Sequence, residues 1–379
     1  MNFLISKKKM IDTIVLTISK EKFRTLDNTQ GLYPSWGLQS RTFNYDKYVK
    51  NRKNDPRFPR LTFYKRKDDR TPYIKVEFSA GKILFNDNLN EPEEKQAPLL
   101  IETLKERLLE MGEVITKSDL ENGDVQAFHP SKNIPLSDGY TANGIRNELS
   151  KININKKFDL TGMIFKNDGR SLQIHTESHS IVFYDKIADL NQKKKKAVDK
   201  DQTPKQFSLF EEIKKNQPKL EVLRMEIRLS KKQKMNSIMQ KLGFQKNPKF
   251  KDIFKKDVCQ KVVKWYWDNI IKGENLFLFG LLNNPKRLFN DILRKNENPK
   301  LKESIYLVGL DVLCKDGGGI RELRDISEKY IKQRNWYRYS DDIKLLNNIE
   351  SKNTLHSWVK QIDDAVKDFK PIKESDVIP

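Results

Sequence analysis

Cysteine is nearly absent from this chain. Two cysteines in 379 residues, Cys259 and Cys314, make neither a disulfide framework nor a metal-binding spacing, which fits a reducing compartment. Histidine is almost as scarce, with four in all, and this excludes a His-rich zinc site. No apolar run approaches the roughly 18 residues that a spanning helix needs. The first ten residues carry lysines, but the apolar stretch after them is short and alternating, unlike the core of a signal peptide. Together these absences predict a cytoplasmic protein with no membrane span.

Acidic charge is also in deficit. Lys and Arg number 73 against 52 Asp and Glu, a formal net charge of +21. An excess of that size predicts a polyanionic partner, with nucleic acid ahead of an acidic membrane surface. Hydrophobic residues make up 37%, enough for a core if much of the rest is surface.

What is present is organised around residues 169–229. Leu223, Met225, Ile227 and Leu229 alternate with Arg224, Glu226 and Arg228, the period of a strand with one buried face. A carboxylate between two arginines is more than a solvated strand face requires. Upstream, Ser180-Ile-Val-Phe-Tyr184-Asp-Lys186 reads as a strand with Tyr184 and Lys186 on one face. The run Lys193–Lys200 between them is expected to be a solvated linker or a phosphate-contacting patch.

Elsewhere, Ile11–Ile18 reads as a first strand, and 27–59 as a long surface excursion. Leu61–Arg66 and Pro72–Ala80 read as a hairpin, Lys82–Phe85 as a further short strand, and Val125–His129 as a strand stopped by Pro130. Amphipathic helices are expected at Leu99–Met111 and Thr141–Ser150. Strands and helices in this alternation predict an α+β fold, mostly an antiparallel sheet with packing helices, and suggest an internal duplication. From Lys231 helical patterns take over. The expected division is a catalytic domain over 1–245 and an all-helical DNA-binding or accessory domain over 246–379. Within the latter, the helices Ile320–Ile331 and Trp336–Ile349 have a helix-turn-helix rhythm, the second presenting Arg334, Trp336 and Arg338 to DNA.

The polar strand faces offer Glu77, His129 and Glu226 as candidate ligands for a divalent ion, Tyr184 as a nucleophile toward a phosphodiester, and Lys186, Arg224 and Arg228 to hold phosphate oxygens. Each has a plainer reading. Strand tyrosines ordinarily pack, a glutamate between arginines suits a structural ion pair, and His129 before a proline suits a strand end. His175 and His179 read as strand and turn residues. No His-x-His pair occurs, unlike the widespread rolling-circle nucleases. The C-terminal tyrosine of a tyrosine recombinase, following an Arg/His series, is absent too.

Four short motifs in order give this chain a resemblance to the filamentous-phage gene II replication initiators and their plasmid and prophage relatives. They are Met10-Ile-Asp-Thr-Ile-Val-Leu, Val76-Glu-Phe-Ser-Ala-Gly-Lys-Ile-Leu, Ser180-Ile-Val-Phe-Tyr-Asp-Lys and Leu223-Arg-Met-Glu-Ile-Arg-Leu. The resemblance covers residues 10–242. It implies a nickase that starts rolling-circle replication, cutting one strand of a double-stranded origin and rejoining the displaced single strand. Mg²⁺ or Mn²⁺ is the implied cofactor, and host helicase and polymerase are the implied partners. Tyr184 would keep the 5′ phosphate beside Lys186, Arg224 and Glu226 would form the Arg-x-Glu motif, and Glu77 the Val-Glu strand. His129 stands where the family has an acidic residue; Asp124 is the nearby substitute. Two alternatives remain: a DNA-binding replication or transcription regulator without catalysis, and a conjugative relaxase.

Overall fold

The strand Asp124–Pro135 lies at the centre of the molecule, although a proline sits in its middle. The computed structural model describes residues 11–26, 40–44, 57–64, 72–153, 162–167, 169–191, 203–280, 284–295, 298, 300–331, 333–350 and 355–377. In chain order the strands are β1 (Ile11–Ser19), β2 (Phe23–Thr25), β3 (Ser40–Asn44), β4 (Arg60–Tyr64), β5 (Tyr73–Ser79), β6 (Glu113–Ile115), β7 (Asp124–Pro135), β8 (Gly162–Lys166), β9 (Ser171–His175), β10 (His179–Asp185) and β11 (Val222–Leu229). Among the described residues, nine of them form one sheet in the order β3-β4-β5-β1-β7-β11-β10-β9-β8, and β2 and β6 make a separate ribbon. Every neighbouring pair in the large sheet is antiparallel. The fold is α+β, as the sequence rhythm predicts. Each wing is a three-stranded meander, and the two wings mirror one another in strand order about β7.

β7 does not stop at Pro130. A proline has no N–H to give to a ladder, so a central strand tolerates it only at a bulge. Here Pro130 lies opposite Ile11, where the β1–β7 register shifts between Ile11 and Ile14. The strand then continues to Pro135 on its β11 side.

One face of the sheet is apolar. Paired residues share a face, so Ile14 and Phe128, Leu16 and Val125, and Ile181 and Ile227 stack side by side, all fully buried. Each contributes about 2 kcal/mol of burial. Helices Ala97–Glu110 and Ala142–Ser150 cover this face, the second N-capped by Thr141, whose hydroxyl accepts from Gly144 N. So do Lys256–Tyr266 and Ser357–Asp368, which bury Val262, Trp358 and Ile362 in the same continuous core. That core crosses the expected boundary at residue 245.

Other local readings change. Lys82–Phe85 belongs to a helix, Ala80–Phe85, ended by Asn86 in the left-handed region at φ 59°. Gly81 permits the tight return of the chain after this helix: a Cβ there would lie 2.9 Å from the Asp87 carbonyl and 3.2 Å from that of Asn90. The excursion 27–59 contains β3, an edge strand paired to β4; most of the rest of that excursion, and the run Lys193–Lys200, lie outside the described residues. The connection after β10 carries a helix, Pro204–Asn216, with a capping box between Thr203 and Gln206. The hairpin β4–β5 and the C-terminal helices Gly319–Tyr330 and Gln333–Glu350 fall where the sequence places them, preceded by a further helix, Leu301–Lys315. No helix among the described residues is long and apolar enough to cross a membrane.

Candidate active site

The opposite face of the sheet is polar. On β11, Arg224, Glu226 and Arg228 alternate with the buried core positions. The register sets Tyr184, Val182 and Ser180 of β10 against them on one side, and Asn133 and Ser131 of β7 against Arg224 and Glu226 on the other. The period of two therefore concentrates the ionisable groups of three central strands on one surface.

Glu226 is the hub. Its side chain is fully buried, yet both carboxylate oxygens have partners. Tyr184 donates its hydroxyl to Oε2 at 3.2 Å, Arg228 Nε donates to Oε1 at 2.7 Å, and His129 Nδ1 lies 3.6 Å from Oε1. Burial would push this carboxyl up, but Arg228, His129 and Arg224 outweigh it and hold it down at about 2. Glu226 is therefore an anion at neutral pH. Tyr184 is 9% exposed, and burial pushes its phenol well above 10, with Arg224 opposing and Glu226 adding. The pair is a neutral phenol aligned on a carboxylate.

Arg224 is buried beside them. It donates to the Asn88 carbonyl at 2.9 Å and to Ser131 Oγ at 2.8 Å, and pairs with Asp12 at 3.1 Å; its Nε is buried without a hydrogen-bond partner. Asp12 also accepts from Ser79 Oγ at 3.4 Å. Sequence reasoning passed over Asp12. The available signal was one acid in the otherwise apolar and hydroxylic strand IDTIVLTIS.

Lys186 does not share a strand face with Tyr184. Asp185 ends β10 and caps the helix Lys186–Leu190, accepting from Ile187 N and Ala188 N, so Lys186 opens that helix. It nonetheless lies close, its Nζ 5.6 Å from the Tyr184 ring centre and bound to Asp189 at 2.7 Å. Burial draws its ammonium below the usual value, with Asp189 opposing.

The expected ion ligands do not converge. His129 and Glu226 meet, but Glu77 stands on β5, three strands from β11, and pairs with Arg60 at 3.7 Å. At about 4.8 Å per strand this separation is roughly 14 Å. The two oxygens of Glu226 are already engaged, and Asp12 is held by Arg224. Asp124 is tied to Lys249 at 2.8 Å. Among the described residues no group of three His, Cys, Asp or Glu side chains has a metal-holding arrangement. The donor set Glu77, His129 and Glu226 thus does not fit a divalent ion as one site. His175 and His179 lie on opposite faces, opposite Ser180 and Leu229 respectively.

The helix pair expected to read DNA is present, but Trp336 turns inward, 6% exposed, against Tyr339 and the Arg324 guanidinium. Arg334 and Arg338 belong to that helix, and their side chains lie outside the described residues.

The segment 86–93 covers the Arg224 end of the polar face. Asp87 turns it by accepting from Leu89 N and Asn90 N. Beneath it a cavity of about 10 Å³, room for one water, is lined by Asp12, Asn88, Glu91, Ser131 and Arg224. A cavity of about 320 Å³ lies elsewhere, between Tyr140, Lys151, Lys315, His356 and Trp358. Comparison with protein-family models, with curated proteins and with solved structures finds no match to this chain.

Proposed function

We propose that this protein nicks and rejoins DNA, starting rolling-circle replication, with Tyr184 as the nucleophile. The observation that carries the reading is the Tyr184 hydroxyl donating to the Glu226 carboxylate within a cluster of Arg224, Arg228 and His129. A nucleophile aligned on a proton acceptor, beside cations that can face a phosphate, is the arrangement that phosphoryl transfer to a side chain requires. The four motifs that resemble the gene II initiators include the strands of this cluster, and a net charge of +21 suits a DNA substrate.

In this reading Tyr184 Oη attacks the scissile phosphorus and its proton passes to Glu226. The bond from phosphorus to the 3′ oxygen breaks, and that oxygen leaves with a proton from solvent as a free 3′ hydroxyl for the host polymerase. The 5′ phosphate stays on the tyrosine, so a later attack by a 3′ hydroxyl reseals the strand and returns the phenol. Arg228, partly exposed, and His129 face the non-bridging oxygens, while Arg224 acts from below the surface. Mg²⁺ or Mn²⁺ belongs to the proposal through the resemblance alone, and no step is routed through it. A relaxase acting at a transfer origin would use the same residues.

A DNA-binding regulator without catalysis is the second reading, favoured by the burial of Tyr184. The test is supercoiled plasmid bearing the cognate origin, incubated with protein and Mg²⁺. Nicking with DNA covalently attached to Tyr184, abolished in Tyr184→Phe, is the expected result. Tight binding without nicking by the wild-type protein refutes the enzyme and leaves the regulator.

A further inference from the structure

We propose that the C-terminal segment 370–377 is a strap that keeps a removable lid closed over Tyr184. The inference rests on the nucleophile reading for its purpose, but not for its structure.

The lid has its own small core, separate from the main one. Leu89 of the covering segment, Ile187 and Leu190 of the helix after Tyr184, and Leu209 and Ile213 of Pro204–Asn216 pack together with Ile372. This cluster sits on the polar side of the sheet, because it also includes Val222, which alternation places on the face of Arg224 and Glu226. It lies over the end of the face where Tyr184 and Arg224 stand opposite one another. Tyr184 is only 9% exposed, and the cavity beneath this layer, against Arg224, has room for no more than one water, so the layer has to move for a phosphodiester to reach the tyrosine.

The strap fastens it at several points. Ile372 N donates to Glu91 Oε2 at 3.0 Å, and Glu91 N donates to the Ile372 carbonyl at 3.3 Å. Lys132 of β7 joins both, donating to Glu91 at 3.1 Å and to the Lys370 carbonyl at 2.6 Å. Glu374 N donates to Asn90 Oδ1 at 2.9 Å, Lys373 pairs with Glu93 at 3.0 Å, and Lys205 of the lid helix bridges Asp87 and Glu374 at 3.3 Å each. On the far side Thr203 donates to the Asn86 carbonyl, and Gln206 donates to Asn88 Oδ1 at 2.6 Å. The covering segment is thus pinned between the strap and the lid helix. Its Asn88 carbonyl in turn holds Arg224. A few apolar contacts and many polar ties on the polar face of a large sheet describe a unit that opens without unfolding the rest.

The same strap emerges from Ser357–Asp368, whose far side packs on β7 in the main core. Release of the strap leaves that helix anchored, together with Phe369, which is fully buried in the main core at φ 49°, so the strap parts from the main body after that residue.

The experiment compares the full chain with Ile372→Asp and Ile372→Val by hydrogen exchange and by nitration of Tyr184 with tetranitromethane, both read by mass spectrometry. Loss of a buried isoleucine should speed exchange over 86–93 and 203–213 by about tenfold or more and raise Tyr184 nitration, with β1 and β7 unchanged. Ile372→Val should stay close to wild type. Unchanged exchange over the lid overturns the proposal, as does acceleration that spreads equally to β1 and β7. If the lid opens and Tyr184 becomes modifiable while no form of the protein nicks origin DNA, the strap stands and the enzymatic reading fails.

Discussion

Replacing Glu226 by glutamine removes one charge and keeps the shape. In the folded protein the carboxyl is held at about 2, below its ordinary 4.5, because Arg228, His129 and Arg224 outweigh the effect of burial. A depressed folded value means that the ionised form is the stabilising one. That contribution is fully present above about pH 4.5 and is lost as pH falls through about 2. A fall from 4.5 to about 2 corresponds to about 3 kcal/mol at pH 7. At pH 3, where the unfolded chain is already protonated and the folded one mostly is not, about 1.5 kcal/mol remains. Urea denaturation of wild type and Glu226→Gln at the two pH values reads this directly. The gap between them should roughly halve on acidification. A gap of the same size at pH 3 and pH 7 would mean that the glutamine merely packs badly, and the charge account of this cluster would be wrong. Under the proposed nicking reaction, in which Glu226 takes the Tyr184 proton, the same variant should lose nicking at every pH.

Tyr184→Phe should abolish nicking while costing only about 1 kcal/mol in stability, the worth of one hydrogen bond, as measured by urea denaturation. Arg224→Met leaves Asp12 buried without its partner and should destabilise by about 3–5 kcal/mol, a loss that Asp12→Asn in the same chain should partly recover. Glu113 lies the other way: burial raises its carboxyl to about 7, against a weaker opposing bond from Thr25. Its ionisation therefore costs stability as pH rises from about 4.5 through 7, so Glu113→Gln should raise Tm at pH 8 and give no gain at pH 4.5. DNA affinity should fall steeply between low and moderate salt in a filter-binding titration; a flat response would remove nucleic acid as the partner.

The alternation on β11 is legible because from Leu223 to Leu229 the core positions are apolar and the positions between them charged. The hairpin β4–β5 and most helices are legible for the same reason, a period that nothing interrupts. Pro130 misleads, since proline ends a strand unless a bulge on the neighbouring strand accommodates it, and the shift at Ile11–Ile14 cannot be seen from β7 alone. Lys82–Phe85 misleads because four residues carry no period; the turn at Asn86 and the close approach at Gly81 settle the helix. For the candidate site, the sequence finds the charged residues on alternating strands but not which strands are neighbours. Tyr184, His129 and Glu226 meet because β10, β11 and β7 are adjacent. Glu77 falls away because β1 comes between, and Asp12 joins because the bulge turns it inward.

The position of β7 also orders events in time. The outer meanders β3-β4-β5 and β8-β9-β10 pair strands close in sequence, which close quickly. The two seams at the centre, β1–β7 and β7–β11, join strands about a hundred residues apart, and such pairings form late. Asp12, Ser131 and Arg224 lie on the three strands joined by those seams, and Tyr184 stands one strand further out, on β10 opposite Arg224. Tyr184 and Glu226 can meet as soon as β10 pairs with β11, whereas Asp12 and Ser131 reach Arg224 only when the two seams close. The polar cluster on the central strands is therefore completed only when the last strand of the sheet is in place.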